Sequence, residues 1–184
     1  MPGSVYNRLF EIAADQHGYL TTAQARAEGI RPGTLTAMAR RGTIERVSHG
    51  VYRLVQFPFR EGAAYMEASL WPVGVRGVIS HESALALYEI SDVNPSKIHV
   101  TVPGVFRVRR RTPDHLVIHH ADLRDDEIDR VDSVAVTTAE RTIRDCSAAQ
   151  LGPEIVRQAI GDAQRNGLLT ARAADALRSR LLSY

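Results

Sequence analysis

The chain has almost no lysine. Of its 23 basic residues only Lys97 is one, so its positive charge is carried by guanidinium groups, planar forks that suit phosphate and carboxylate. Cysteine is equally scarce. The single Cys146 excludes an intrachain disulfide and suits a reducing compartment. No apolar run approaches the roughly 20 residues of a membrane span, and no signal-peptide pattern precedes Val5. The expectation is a cytoplasmic protein. Serine- and glycine-rich linkers, low-complexity tracts and internal repeats are also missing.

What is present is an ordinary globular composition, 44% apolar and 24% charged over 184 residues. That length suggests one or two domains. The net charge is only +2, but it is unevenly placed. Residues 1–120 hold 14 basic and 10 acidic side chains, whereas 121–184 hold 9 and 11.

The segment Thr21–Val55 reads as a helix-turn-helix followed by a wing. Thr21 is placed as an N-cap with Gln24 completing a capping box, and the helix Thr22–Glu28 stops at Gly29. Pro32 then opens a second helix at the first position, where its missing N–H costs nothing. That helix runs to Arg41 and ends at Gly42. Within it Leu35, Met38 and Ala39 form an inward stripe. The opposite face presents Arg31, Thr34, Thr36, Ala37, Arg40 and Arg41, residue types that pair with guanine edges, phosphates or a thymine methyl.

Ile44–Val47 and Val51–Leu54 alternate as two strands about Ser48-His49-Gly50, which makes a hairpin wing. Its Arg46, His49 and Arg53 are placed to reach backbone or minor groove. From Arg31 to Arg60 there are six arginines and one acid, Glu45, a local excess of five positive charges. Phosphate neutralisation supplies most non-specific DNA affinity, so this is the expected footprint. A helix at Val5–His17, closed by Gly18, completes a module over residues 1–57.

The second domain, 58–184, is expected to be mixed. A helix at Glu61–Trp71 is stopped by Pro72, Val78-Ile79 is a short strand, and Ser80 is placed to cap a helix at His81–Tyr88. Lys97–Val102 is the clearest strand, with Val105–Arg109 and Leu116–His119 as its antiparallel neighbours. Ile128–Asp132 and Val134–Val136 add short strands. Three helices follow: Thr138 caps the first, to Ala148; Pro153 opens the second, to Asn166; Thr170 caps the third, to Leu182. The predicted fold class is α+β: a winged helix-turn-helix, then a mixed domain with a small antiparallel sheet and C-terminal helices.

Four segments in fixed order resemble one family: GVYRL at 50–54, SHESALALYEI at 80–90, PSKIHVTVP at 95–103 and TTAERTIRDC at 137–146. They resemble the AbiEi antitoxins of abortive-infection toxin–antitoxin operons, over about residues 5–165. The resemblance implies an N-terminal domain that binds inverted repeats in its own promoter and represses the operon. It also implies a C-terminal antitoxin or oligomerisation domain opposing a nucleotidyltransferase toxin. Family DNA contacts map onto Arg31, Thr34, Thr36, Arg40 and Arg41, with Arg46, His49 and Arg53 from the wing. The chain lacks the family's long C-terminal extension. The alternatives are a protein-interaction module that neutralises a toxin by contact, and a solitary winged-helix regulator.

Other chemistry has little support. Arg107, Arg109, Arg110 and Arg111 form a second candidate basic patch for phosphate, RNA or an acidic partner, or a solvated hairpin tip. Asp122–Asp132, with six acids, is expected to be a solvated acidic loop. His119 and His120, with His115 and Asp122 nearby, do not point to a metal, because adjacent strand residues face opposite ways. His81-Glu82 lacks the second histidine of a zinc-protease helix. Cys146 is expected to be a small core residue, and Arg141 with Asp145 a stabilising i,i+4 pair. No G-x-S-x-G elbow, nuclease E-x-K strand or nucleotidyltransferase D-x-D is present. The chain is therefore expected to be non-enzymatic, without cofactor or metal, and a monomer or weak dimer that pairs on DNA.

Overall fold

The computed structural model describes residues 4–107 and 111–182. They form two compact units, 4–77 with 132–134, and 78–107 with 111–131 and 135–182. The division falls at 77/78, so the helix expected to begin the second domain groups with the winged module.

In the first unit, α1 (Ser4–Ala14), β1 (Tyr19–Thr21), α2 (Thr22–Ala27), α3 (Pro32–Arg40), β2 (Ile44–Ser48), β3 (Val51–Leu54) and α4 (Ala63–Leu70) follow in order. The local signals act as their chemistry dictates. Thr21 accepts from the Gln24 backbone N–H while the Gln24 side chain accepts from the Thr21 N–H at 2.8 Å, a complete capping box. Gly29, at φ 73°, makes the left-handed turn between α2 and α3. Gly18 has a tighter requirement: its φ is 86°, and a Cβ there would lie 2.6 Å from Phe57. One element was not foreseen. Tyr19–Thr21 is a strand rather than lead-in chain, and it pairs antiparallel with β3 to give the order β1-β3-β2. Leu9, Leu20, Ile30, Leu35, Met38, Ile44 and Leu54 close one apolar core, with Ala39 half-buried.

In the second unit, β4 (Val78–Ile79), α5 (His81–Leu87), β5 (Ile98–Val102), β6 (Leu116–His120), β7 (Ile128–Val131) and β8 (Val134–Thr137) precede α6 (Ala139–Ala148), α7 (Pro153–Arg165) and α8 (Ala171–Leu181). The strands form a five-stranded mixed sheet in the order β6-β5-β4-β8-β7. This corrects the expected antiparallel sheet. β5 and β6 run parallel, as do β4 and β8, while β4 and β5 run antiparallel. Alternation marks a strand but carries no direction; the chain from 103 to 115 matches the dozen or so residues a parallel return needs. Residues 105–107 are not a strand, and Val105 is 81% exposed; residues 108 and 109 of that expected strand lie outside the described residues.

Three helix starts read as expected. Thr138 and Thr170 accept from the backbone N–H groups of Arg141 and Ala173, and Pro153 stands at the start of α7. Ser80 holds the N-cap position of α5 without making a cap bond; its hydroxyl accepts instead from Thr101 Oγ1 at 2.8 Å.

Candidate nucleic-acid interface

The interface is built on α3 because α3 is amphipathic in a narrow way. Leu35 and Met38 are buried, which fixes the helix on the core and turns the rest outward. Arg31, Thr36, Ala37, Arg40 and Arg41 are exposed and Thr34 is half-buried. Arg31 is the N-cap in extended geometry and makes no side-chain cap bond, which leaves its guanidinium to solvent. Thr36 donates to the Pro32 carbonyl at 3.2 Å, a local bond that sets the hydroxyl rotamer. Arg31, Arg40 and Arg41 are in no ion pair among the described residues.

The wing adds two of its three expected residues to this exposed set. Arg46 and His49 are exposed, and an Arg46 guanidinium nitrogen lies 3.2 Å from His49 Nδ1. The strand β2 is irregular between Arg46 and Ser48, where its register against β3 shifts. Arg53 faces the other way and is only 6% exposed. Its Nη2 donates to the Phe57 carbonyl at 2.6 Å and its guanidinium stacks 4.3 Å from the Phe59 ring centroid. The cause is strand order: β3 is the central strand, and all four of its residues are buried. Arg53 thus holds the segment after the wing.

Of the second basic patch, Arg107 and Arg111 are described. Arg107 is exposed and donates to the Gly104 and Phe106 carbonyls. Arg111 pairs with Asp114 at 3.0 Å, both side chains 85% exposed. Arg109 and Arg110 lie outside the described residues. In the acidic stretch Glu127 is an exception to the expected solvated loop. It is 7% exposed and accepts from Arg141 Nη1 at 3.0 Å, while Arg141 Nε donates to Asp145 at 2.8 Å. The backbone N–H of Arg124 and the Arg141 guanidinium hold the Glu127 carboxyl below its ordinary range, against the effect of burial. Arg141 is thereby a structural bridge of the second unit. Cys146 is buried, and burial pushes its thiol up to about 12, the setting of an inert core residue.

No helix among the described residues is long and apolar enough to cross a membrane. Sequence comparison finds no match among curated proteins. The crystal structure of the RV2827C protein from Mycobacterium tuberculosis is similar, with a TM-score of 0.50 at 14% identity, covering 97% of this chain and 72% of that one. At that identity the likeness is one of fold. A family model described as "Transcriptional regulator, AbiEi antitoxin" matches residues 7–55, from α1 through the wing. Residues 7–55 are therefore a domain of the AbiEi antitoxin and transcriptional-regulator family.

Proposed function

We propose that this protein is a sequence-specific DNA-binding repressor of its own operon and the antitoxin to a nucleotidyltransferase-type toxin. It acts by binding rather than by catalysis. The observation that carries the DNA reading is an exposed arginine set, in no ion pair among the described residues, on a helix anchored by its opposite face: Arg31, Arg40 and Arg41 on α3. In this reading α3 lies in the major groove, with Thr34 and Thr36 beside the arginines. Arg46 and His49 of the wing meet adjacent phosphates. Arg53 is left out, because its side chain is buried and its Nη2 already donates inside the fold. The second unit serves antitoxin or pairing roles, and copies pair on promoter inverted repeats.

The test is a gel shift of the full chain on the DNA upstream of its own gene, titrated against salt and scrambled competitor. Binding that survives competitor, and weakens log-linearly with salt by about 0.9 per neutralised phosphate, supports the repressor. Binding equal to competitor overturns it in favour of a module that meets its toxin by protein contact. Toxin antagonism is read separately, by co-expression with any nucleotidyltransferase encoded beside its gene and recovery of growth.

A further inference from the structure

We propose that His81, His99 and His119 form a binding site for one divalent first-row transition-metal ion, with zinc the first candidate. Each histidine offers one ring nitrogen, and these atoms all lie within 4.8 Å of one another. His119 Nε2 and His99 Nδ1 are 3.1 Å apart. Two nitrogens on a tetrahedral zinc, with bonds of about 2.0–2.1 Å, are separated by about 3.3 Å. The pair therefore already stands near ligand spacing, and imidazole is the donor that zinc, nickel and copper favour.

The sheet assembles this group from positions that no local motif connects. His119 and His120 do face opposite ways, as strand alternation requires. Parallel pairing sets Thr101 against His119 and His99 against Val117, so His99 and His119 are diagonal neighbours on one face. The Ser80 N–H donates to the His99 carbonyl at 3.1 Å, which brings the start of α5 alongside. There His81 has a φ of 53°, a left-handed conformation that a non-glycine residue keeps only where its surroundings enforce it. Its ring stacks on His119 with centroids 3.6 Å apart.

Surrounding groups fit the role of outer partners. The Ser80 hydroxyl lies 3.0 Å from His81 Nδ1; a proton on that nitrogen leaves Nε2 as the free lone pair. Glu82 lies 3.9 Å from His99 Nε2, opposite the nitrogen that faces His119. At 3.9 Å it makes no hydrogen bond, but it stands on the side of the ring from which a carboxylate orients a metal-bound imidazole. Burial, before any neighbouring charge, pushes His81 and His119 down to about 4 and lowers His99, so all three stay neutral near pH 7. Arg141 opposes a cation near His81, but its charge is already balanced by Glu127 and Asp145. Binding requires two adjustments. One ring of the His99–His119 pair moves its proton to its other nitrogen, and the stacked His81 and His119 rings tilt apart to aim at one ion.

The test is isothermal titration of the EDTA-treated full chain with zinc chloride, alongside cobalt(II) absorption. One saturable ion per chain is expected, with the intense visible bands of a four- or five-coordinate cobalt site. His99→Gln and His119→Gln should each weaken binding more than about tenfold, while His120→Gln and His115→Gln, both exposed, should bind as the wild type. Glu82→Gln, which leaves every ligand in place, should weaken binding less than either ligand variant. No saturable binding, binding in His99→Gln and His119→Gln as tight as in the wild type, or a weak six-coordinate cobalt spectrum would overturn the site. Should a variant misfold by circular dichroism, the wild-type cobalt spectrum still decides.

Discussion

In the first unit Arg31, Arg40 and Arg41 stand exposed on α3 with no acidic partner among the described residues, whereas in the second unit Arg124, Arg141, Arg157, Arg165 and Arg178 are all in ion pairs. Most of those second-unit pairs join residues two to four apart, on the same helix or turn. Charge alone therefore says little about function. An arginine beside its own acid is neutralised locally, and one without an acid carries an unspent field that phosphate can meet. The same residue type is a structural group at Arg53 and Arg141 and, in the function proposed, a recognition group on α3.

The largest effect expected from breaking this contrast is at the best-buried pair. Arg141→Ala leaves the enclosed Glu127 carboxylate with only the more distant Arg124 guanidinium, 3.8 Å away, and should cost about 3 kcal/mol in urea unfolding while sparing operator binding at low temperature. A loss under about 1 kcal/mol would show that Arg141 is no bridge. The pair also predicts a pH response. Because the folded Glu127 carboxyl is held below its ordinary 4.5, its contribution is complete above that value and is lost as pH falls further, towards the folded value. Glu127→Gln should flatten the stability profile below pH 4.5.

Arg53→Ala comes next, since it removes the donor to the Phe57 carbonyl. It should lower stability by about 1–3 kcal/mol, with folded variant binding operator as the wild type. Specific loss of DNA affinity at full stability would return Arg53 to the interface. Arg40→Ala and Arg41→Ala should do the reverse: about 1–3 kcal/mol lost from operator binding for a base contact, with unfolding curves unchanged. Unchanged affinity in both would remove α3 from the DNA. Arg46→Ala should weaken all sequences alike and reduce the salt slope by about 1, as for one phosphate contact. Arg157→Ala, from a fully exposed pair within α7, should be indistinguishable from the wild type in both assays. A measurable change there would undo the claim that its pairing is only local.

The amino-acid sequence determined what neighbours along the chain can determine. The Thr21–Gln24 box, Gly29, Pro32 and the Leu35–Met38 stripe placed α2 and α3 within a residue of their observed ends, because caps and helix periodicity act over one or two turns. Thr138, Pro153 and Thr170 did the same for the last three helices. Tertiary structure decided whatever depends on which strand lies beside which. It added β1 to the wing sheet, and that made β3 central and turned Arg53 inward. It ran β6 parallel to β5, a direction that alternation leaves open, and so set His119 beside His99 and His81 instead of leaving it with His120. Side-chain period 2 assigns each residue a face; only the pairing of strands far apart in the chain assigns that face its neighbours.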